Sequence, residues 1–129
     1  MHIQRFIFTA TLAMVVSGCV DRIPPTSLTE TRMHVTKRRI IQYARVHNQL
    51  PPDLVSLPPM SGYDTSVIDG WGRPLSYQTN SKGIVTLQSL GRDGVAGGSG
   101  DDAEIVRSFP ARNTQDTWSD ELVEWSKSP

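Results

Sequence analysis

The chain has 129 residues, 13 Lys and Arg against 13 Asp and Glu, 37% hydrophobic and 20% charged residues, with 10 Gly and 9 Pro. These numbers describe one small domain with a modest core and much turn. They exclude a large enzyme scaffold such as a TIM barrel, and the balanced charge gives no electrostatic case for a nucleic-acid partner.

The amino terminus, Met1-His2-Ile3-Gln4-Arg5, carries one fixed positive charge and precedes an apolar run from Phe6 to Val16. That run is shorter than the ~20 residues a spanning helix needs, so residues 1–18 are predicted to be a signal peptide. It ends in Val16-Ser17-Gly18-Cys19, which resembles a bacterial lipoprotein signal and implies lipidation of Cys19. Cys19 is the only cysteine, so no internal disulfide can form. The first expected partner is therefore a membrane, reached through lipid on Cys19, with about 0.8 kcal/mol gained per buried methylene. Val20 stands where an Asp would favour inner-membrane retention, which points to the periplasmic side of the outer membrane.

Residues 19–28 contain Pro24, Pro25, Thr26 and Ser27 and read as a tether. From Thr29 to about Asn48 there is neither Gly nor Pro, and Met33, Ile40, Tyr43, Ala44 and His47 recur on one side of a helix. Thr29 is placed as its N-cap, with Glu30 in the first turn. Arg32, Lys37, Arg38, Arg39 and Arg45 fill most of the remainder, read either as an ordinary solvated face or as a face for assembly or anionic lipid. His34 and His47 lack the spacing of a helical metal pair.

Leu50-Pro51-Pro52 ends the helix, and Asp53 could open one further turn before Pro58-Pro59. Leu75–Thr79 and Ile84–Leu90 are strand formers separated by Asn80-Ser81-Lys82-Gly83, which predicts a hairpin; Ile105–Phe109 is a third strand. The expected fold is α+β, with one long N-terminal helix covering a small antiparallel sheet of about three strands, over residues 29–109.

The connection Gly91–Glu104 holds five Gly and three Asp. Glycines let carbonyls turn inward, and carboxylate and carbonyl oxygens are the ligands of a hard cation such as calcium; the plain alternative is a flexible acidic turn. An EF-hand is excluded, because Val95 and Gly97 occupy positions that need side-chain ligands. A G-G-x-G-x-D nonapeptide occurs once, where stacked repeats are needed, and no phosphate loop is present.

The order of elements, with Asp69-Gly70-Trp71-Gly72-Arg73-Pro74-Leu75-Ser76-Tyr77, then Ser89-Leu90-Gly91-Arg92-Asp93-Gly94 and a Gly-rich run to Asp101-Asp102-Ala103-Glu104-Ile105, resembles the globular domain of the major (G-type) pseudopilin of type II secretion. The family pattern is close to D-P-W-G-x-P-Y-x-Y, then S-L-G-A-D-G, a Gly-rich loop and D-D/A-D-I. The resemblance covers about Thr29 to Phe109. It implies one calcium ion held by carboxylates of Asp93, Asp101 and Asp102 and the carbonyl of Leu90, with a further carbonyl from about Val95 to Ser99. It also implies Trp71 and Tyr77 packed as core. It departs at the amino terminus, because pseudopilins begin with an unbroken apolar helix that packs the filament core, and no such segment is present.

The tail, residues 110–129, places Trp118, Leu122 and Trp125 at i, i+4 and i+7 and predicts a short amphipathic helix. That helix would dock on its own domain or present the three residues as anchors to a partner. The resulting expectation is a lipid-anchored, calcium-binding, non-enzymatic structural or accessory component of a type II secretion or type IV pilus-like apparatus, whose partners are secretion or pilus assembly proteins. No catalytic residue and no small-molecule substrate are expected. Two alternatives stand beside it: a calcium-stabilised periplasmic binding lipoprotein unrelated to secretion, and a hydrolase using Asp93, Asp101 or Asp102.

Overall fold

The computed structural model describes residues 22–127, so the signal peptide and Cys19 lie outside the described residues. The helix α1 spans Pro25–His47, followed by strands β1 (Ser76–Thr79), β2 (Ile84–Ser89) and β3 (Ile105–Pro110). The strands form one antiparallel sheet in the order β1-β2-β3. Among the described residues no helix is long and apolar enough to cross a membrane.

α1 begins before Thr29, so Pro25–Leu28 are helix and not tether. Proline is compatible with the first turn because its fixed φ suits a helix and the N–H it lacks would have no intrahelical acceptor. Thr29 is not the N-cap. Its fully buried hydroxyl donates to Pro25 O (2.7 Å) and accepts from Gly70 N (2.8 Å). The first turn of α1 thus rests directly on the 69–70 turn, where a Cβ on Gly70 would lie 2.1 Å from Pro25 O. The helix ends at Asn48 in the left-handed conformation (φ 54°), and Pro51 and Pro52 prevent its continuation. Asp53 opens a turn without a helix, its Oδ1 accepting from Ser56 N and Ser56 Oγ at 2.7 Å each.

Met33, Ile40, Ile41 and Ala44 of α1 are buried, and the first three share a core with Leu54, Leu57, Leu75, Val85, Leu87, Ile105 and Phe109. Burial of each such large side chain contributes about 1.5–3 kcal/mol. β2 is central, with alternate residues Val85, Leu87 and Ser89 buried. It pairs Tyr77 with Leu87 on one side and Phe109 with Val85 on the other. The hairpin turn is closed by Asn80 Oδ1, which accepts from Lys82 N and Ile84 N at 3.0 Å, and by Gly83 at φ +75°. Trp71 and Tyr77 pack partly buried against this core.

The basic residues of α1 are not a uniform solvated face. Arg39, 5% exposed, donates to the carbonyls of Leu57 (2.9 Å), Pro58 (3.0 Å) and Thr65 (2.9 Å). Arg32 reaches Asp69 O at 3.1 Å and pairs with Asp64 at 2.9 Å. Lys37, equally buried, donates to Val123 O. Three cations of the helix therefore satisfy carbonyls of segments that have no ladder of their own. Arg45 remains exposed.

The tail is not the predicted helix. It is tied to the domain by Ser119 N to Ala111 O (2.8 Å) and Ser126 N to Ser108 O (2.7 Å), with an isolated bridge between Arg112 and Trp118. Three aromatic or aliphatic residues at helical spacing cannot override these long-range partners in a segment this short.

Candidate functional site

The two signature segments meet at Asp69. This carboxylate is 1% exposed and fully satisfied: Oδ1 accepts from Trp71 N (3.0 Å) and Arg73 N (2.9 Å), and Oδ2 from Ser89 Oγ (2.8 Å). Ser89 Oγ in turn accepts from Gly91 N at 3.2 Å. The Asp-Gly-Trp-Gly turn, the end of β2 and the start of the Gly-rich loop are thereby locked together through one buried side chain. Sequence reasoning placed Asp69 within the motif but did not single it out; its signal was an acid directly before a Gly-x-Gly turn.

Arg73 extends the lock into the loop. Its Nη1 donates to Gly91 O and Arg92 O, both at 3.0 Å, and its guanidinium packs where a Cβ on Gly94 would lie, 2.6 Å from Nε. Gly94 is therefore required by close approach.

The loop runs from Leu90 to Glu104 and contains a short 3-10 turn at Gly100–Asp102. Arg92 N donates to Asp101 O at 2.8 Å, which brings the two ends together. The Arg92 side chain then grips Asp102 with both prongs, Nε to Oδ1 and Nη2 to Oδ2, each 3.0 Å. The guanidinium holds the Asp102 carboxyl below its ordinary value. Glu104, which the sequence analysis did not single out as a ligand, accepts from Gly97 N and from Gln88 Nε2, each at 2.7 Å.

Of the predicted calcium ligands, Asp93 accepts from Val95 N at 3.0 Å and Asp101 faces Thr26 Oγ1 at 3.5 Å. Leu90 is half-buried beside Asp69, Arg73 and Gln88 around a cavity of about 290 Å³. Among the described residues no three His, Cys, Asp or Glu side chains converge as a metal-ligand group. Both oxygens of Asp102 face a guanidinium, so this arrangement does not fit the calcium donor set that the resemblance implies. It is equally unlike a general acid, whose pKa is raised and not lowered.

The three tail residues are not brought together as one stripe. Trp118 Nε1 donates to Asn48 Oδ1 (3.1 Å) with the Arg112 guanidinium 4.2 Å above its ring. Trp125 sits edge-on to Phe109 (5.7 Å) and His34 (5.2 Å), donates Nε1–H to His34 Nε2 (3.2 Å) and lies under Lys37. Leu122 is 80% exposed. Trp125, with His34, Arg38 and Glu121, lines an open cleft of about 480 Å³ between α1 and the tail.

Residues 47–108 match the family described as type II secretion system (T2SS), protein G. No curated protein and no solved structure matches.

Proposed function

We propose that this chain, whose residues 47–108 match the type II secretion system protein G family, is a non-enzymatic structural or accessory component of a type II secretion or type IV pilus-like apparatus, held at the cell envelope by lipid on Cys19. The observation that carries the reading is the junction of the two family signatures, where Ser89 Oγ donates to Asp69 Oδ2 at 2.8 Å within the matched segment. A scaffold of this kind presents a fixed surface to assembly partners.

The lipid anchor performs the attachment that the apolar helix provides in pseudopilins. The domain then hangs from the membrane through the residues between Cys19 and Pro25, facing the periplasm, with the outer membrane as its expected site. Its partners are the assembly proteins of the apparatus, and no small-molecule substrate is required.

The test is a deletion strain assayed for secretion of type II substrates and for pilus assembly, complemented by the wild-type chain and by Cys19→Ser, with site-directed cross-linking to the apparatus. Loss of secretion or assembly, restored by the wild type and not by Cys19→Ser, is the expected result. Unimpaired secretion and pilus assembly in the deletion strain would refute the reading.

A further inference from the structure

The Gly-rich loop concentrates the carboxylates of Asp93, Asp101, Asp102 and Glu104 within one connection, and such a loop closes only if that charge is neutralised or hydrogen-bonded. The structure meets this need with side chains of the chain itself. We propose that the guanidinium of Arg92 supplies the positive charge of this loop, so that Leu90–Glu104 closes without calcium.

Three observations carry the inference. The Arg92 fork is bidentate on Asp102, which occupies both oxygens that would otherwise turn toward an ion. Arg92 N binds Asp101 O while Arg92 O and Gly91 O accept from Arg73, so the pair lies within a connected set of contacts and is not an isolated surface bridge. Glu104 is committed to Gly97 N and Gln88, and Asp93 to the amide of Val95. The proposal concerns only the chemistry of the loop, and its outcome leaves the secretion readouts above unaffected.

The experiment uses the full chain purified in detergent, compared in EGTA and in millimolar calcium by thermal melting and by hydrogen exchange of peptides covering residues 91–104. The expected result is no difference between the two conditions for the wild type. Arg92→Ala is expected to speed exchange across the loop by about fivefold in EGTA, as befits loss of a local closure. Arg92→Lys keeps the charge and loses the fork, and should fall between the two. A calcium-dependent rise in melting temperature that is abolished by Asp102→Ala would overturn the proposal, and so would an Arg92→Ala loop that exchanges as slowly as the wild type.

Discussion

Replacing Asp69 by Ala should be the most damaging single change in the matched segment. The carboxylate is 1% exposed and accepts three hydrogen bonds, from Trp71 N, Arg73 N and Ser89 Oγ. Hydrogen bonds to a charged group are each worth about 1.5–3 kcal/mol, and truncation leaves buried donors without a partner. The three share one acceptor and will not add fully, so the expected loss is about 3–5 kcal/mol. In a domain of this size that lowers the melting temperature by more than ~10 °C. Asp69→Asn keeps Oδ1 for the two amides and disturbs only the Ser89 contact, so it should cost about 1–2 kcal/mol. Urea unfolding followed by tryptophan fluorescence measures both, since Trp71 lies in the same turn. A double-mutant cycle with Ser89→Ala should return a coupling of about 1 kcal/mol or more. An Asp69→Ala protein within about 1 kcal/mol of wild type would refute the assignment of Asp69 as the junction of the two motifs.

Gly70→Ala places a Cβ against the backbone of Pro25 and should cost about 1–3 kcal/mol, with faster amide exchange in the first turn of α1 as the specific sign. Trp125→Ala should release the tail from α1 and cost about 2 kcal/mol, roughly half the value of a fully buried Trp, as seen in urea titration and in exposure of Lys37 to acylation. The Trp125–His34 hydrogen bond requires a neutral acceptor on His34, and burial first, then Lys37, lowers the pKa of that imidazole, with Arg107 adding to the effect and Glu30 opposing it. A depressed imidazole pKa means the native state binds fewer protons, so this contribution is complete above the ordinary His value and is lost as pH falls from there through the lowered native value. The expected readout is a change in Trp fluorescence on acidification that His34→Ala removes. Burial pushes the Tyr77 hydroxyl, which donates to Pro51 O at 2.9 Å, up to about 12. Its stabilising effect is complete below the ordinary Tyr pKa and fades as pH rises toward 12; an ultraviolet titration that Tyr77→Phe alters only near the ordinary Tyr value would contradict this.

Local pattern was sufficient wherever the deciding interactions are local. The hairpin strands, the turn at Asn80–Gly83, the third strand and the helix covering the sheet follow from period-2 and period-3.6 spacing and from turn chemistry. Asp69 and Ser89 stood in the two motifs that carry the family resemblance, and the match over residues 47–108 agrees with it.

The rest depended on partners distant in the chain. Pro24-Pro25 reads as coil until Gly70 offers its backbone to the first turn of the helix, and only then does Thr29 become a buried bridge in place of a cap. A cationic stripe on a helix looks the same whether it meets water or the carbonyls of Leu57, Thr65 and Val123. Trp118, Leu122 and Trp125 have helical spacing, yet Ser108, Ala111 and Asn48 hold the tail in another path. Periodicity by itself determined the body of the helix and the three strands of the sheet, though not the path of the tail, because it reflects neighbours within one or two turns. Which charge meets which was decided only by the tertiary structure, because Arg107 and Glu30, 77 residues apart, come within 2.6 Å only after the helix has packed on the sheet.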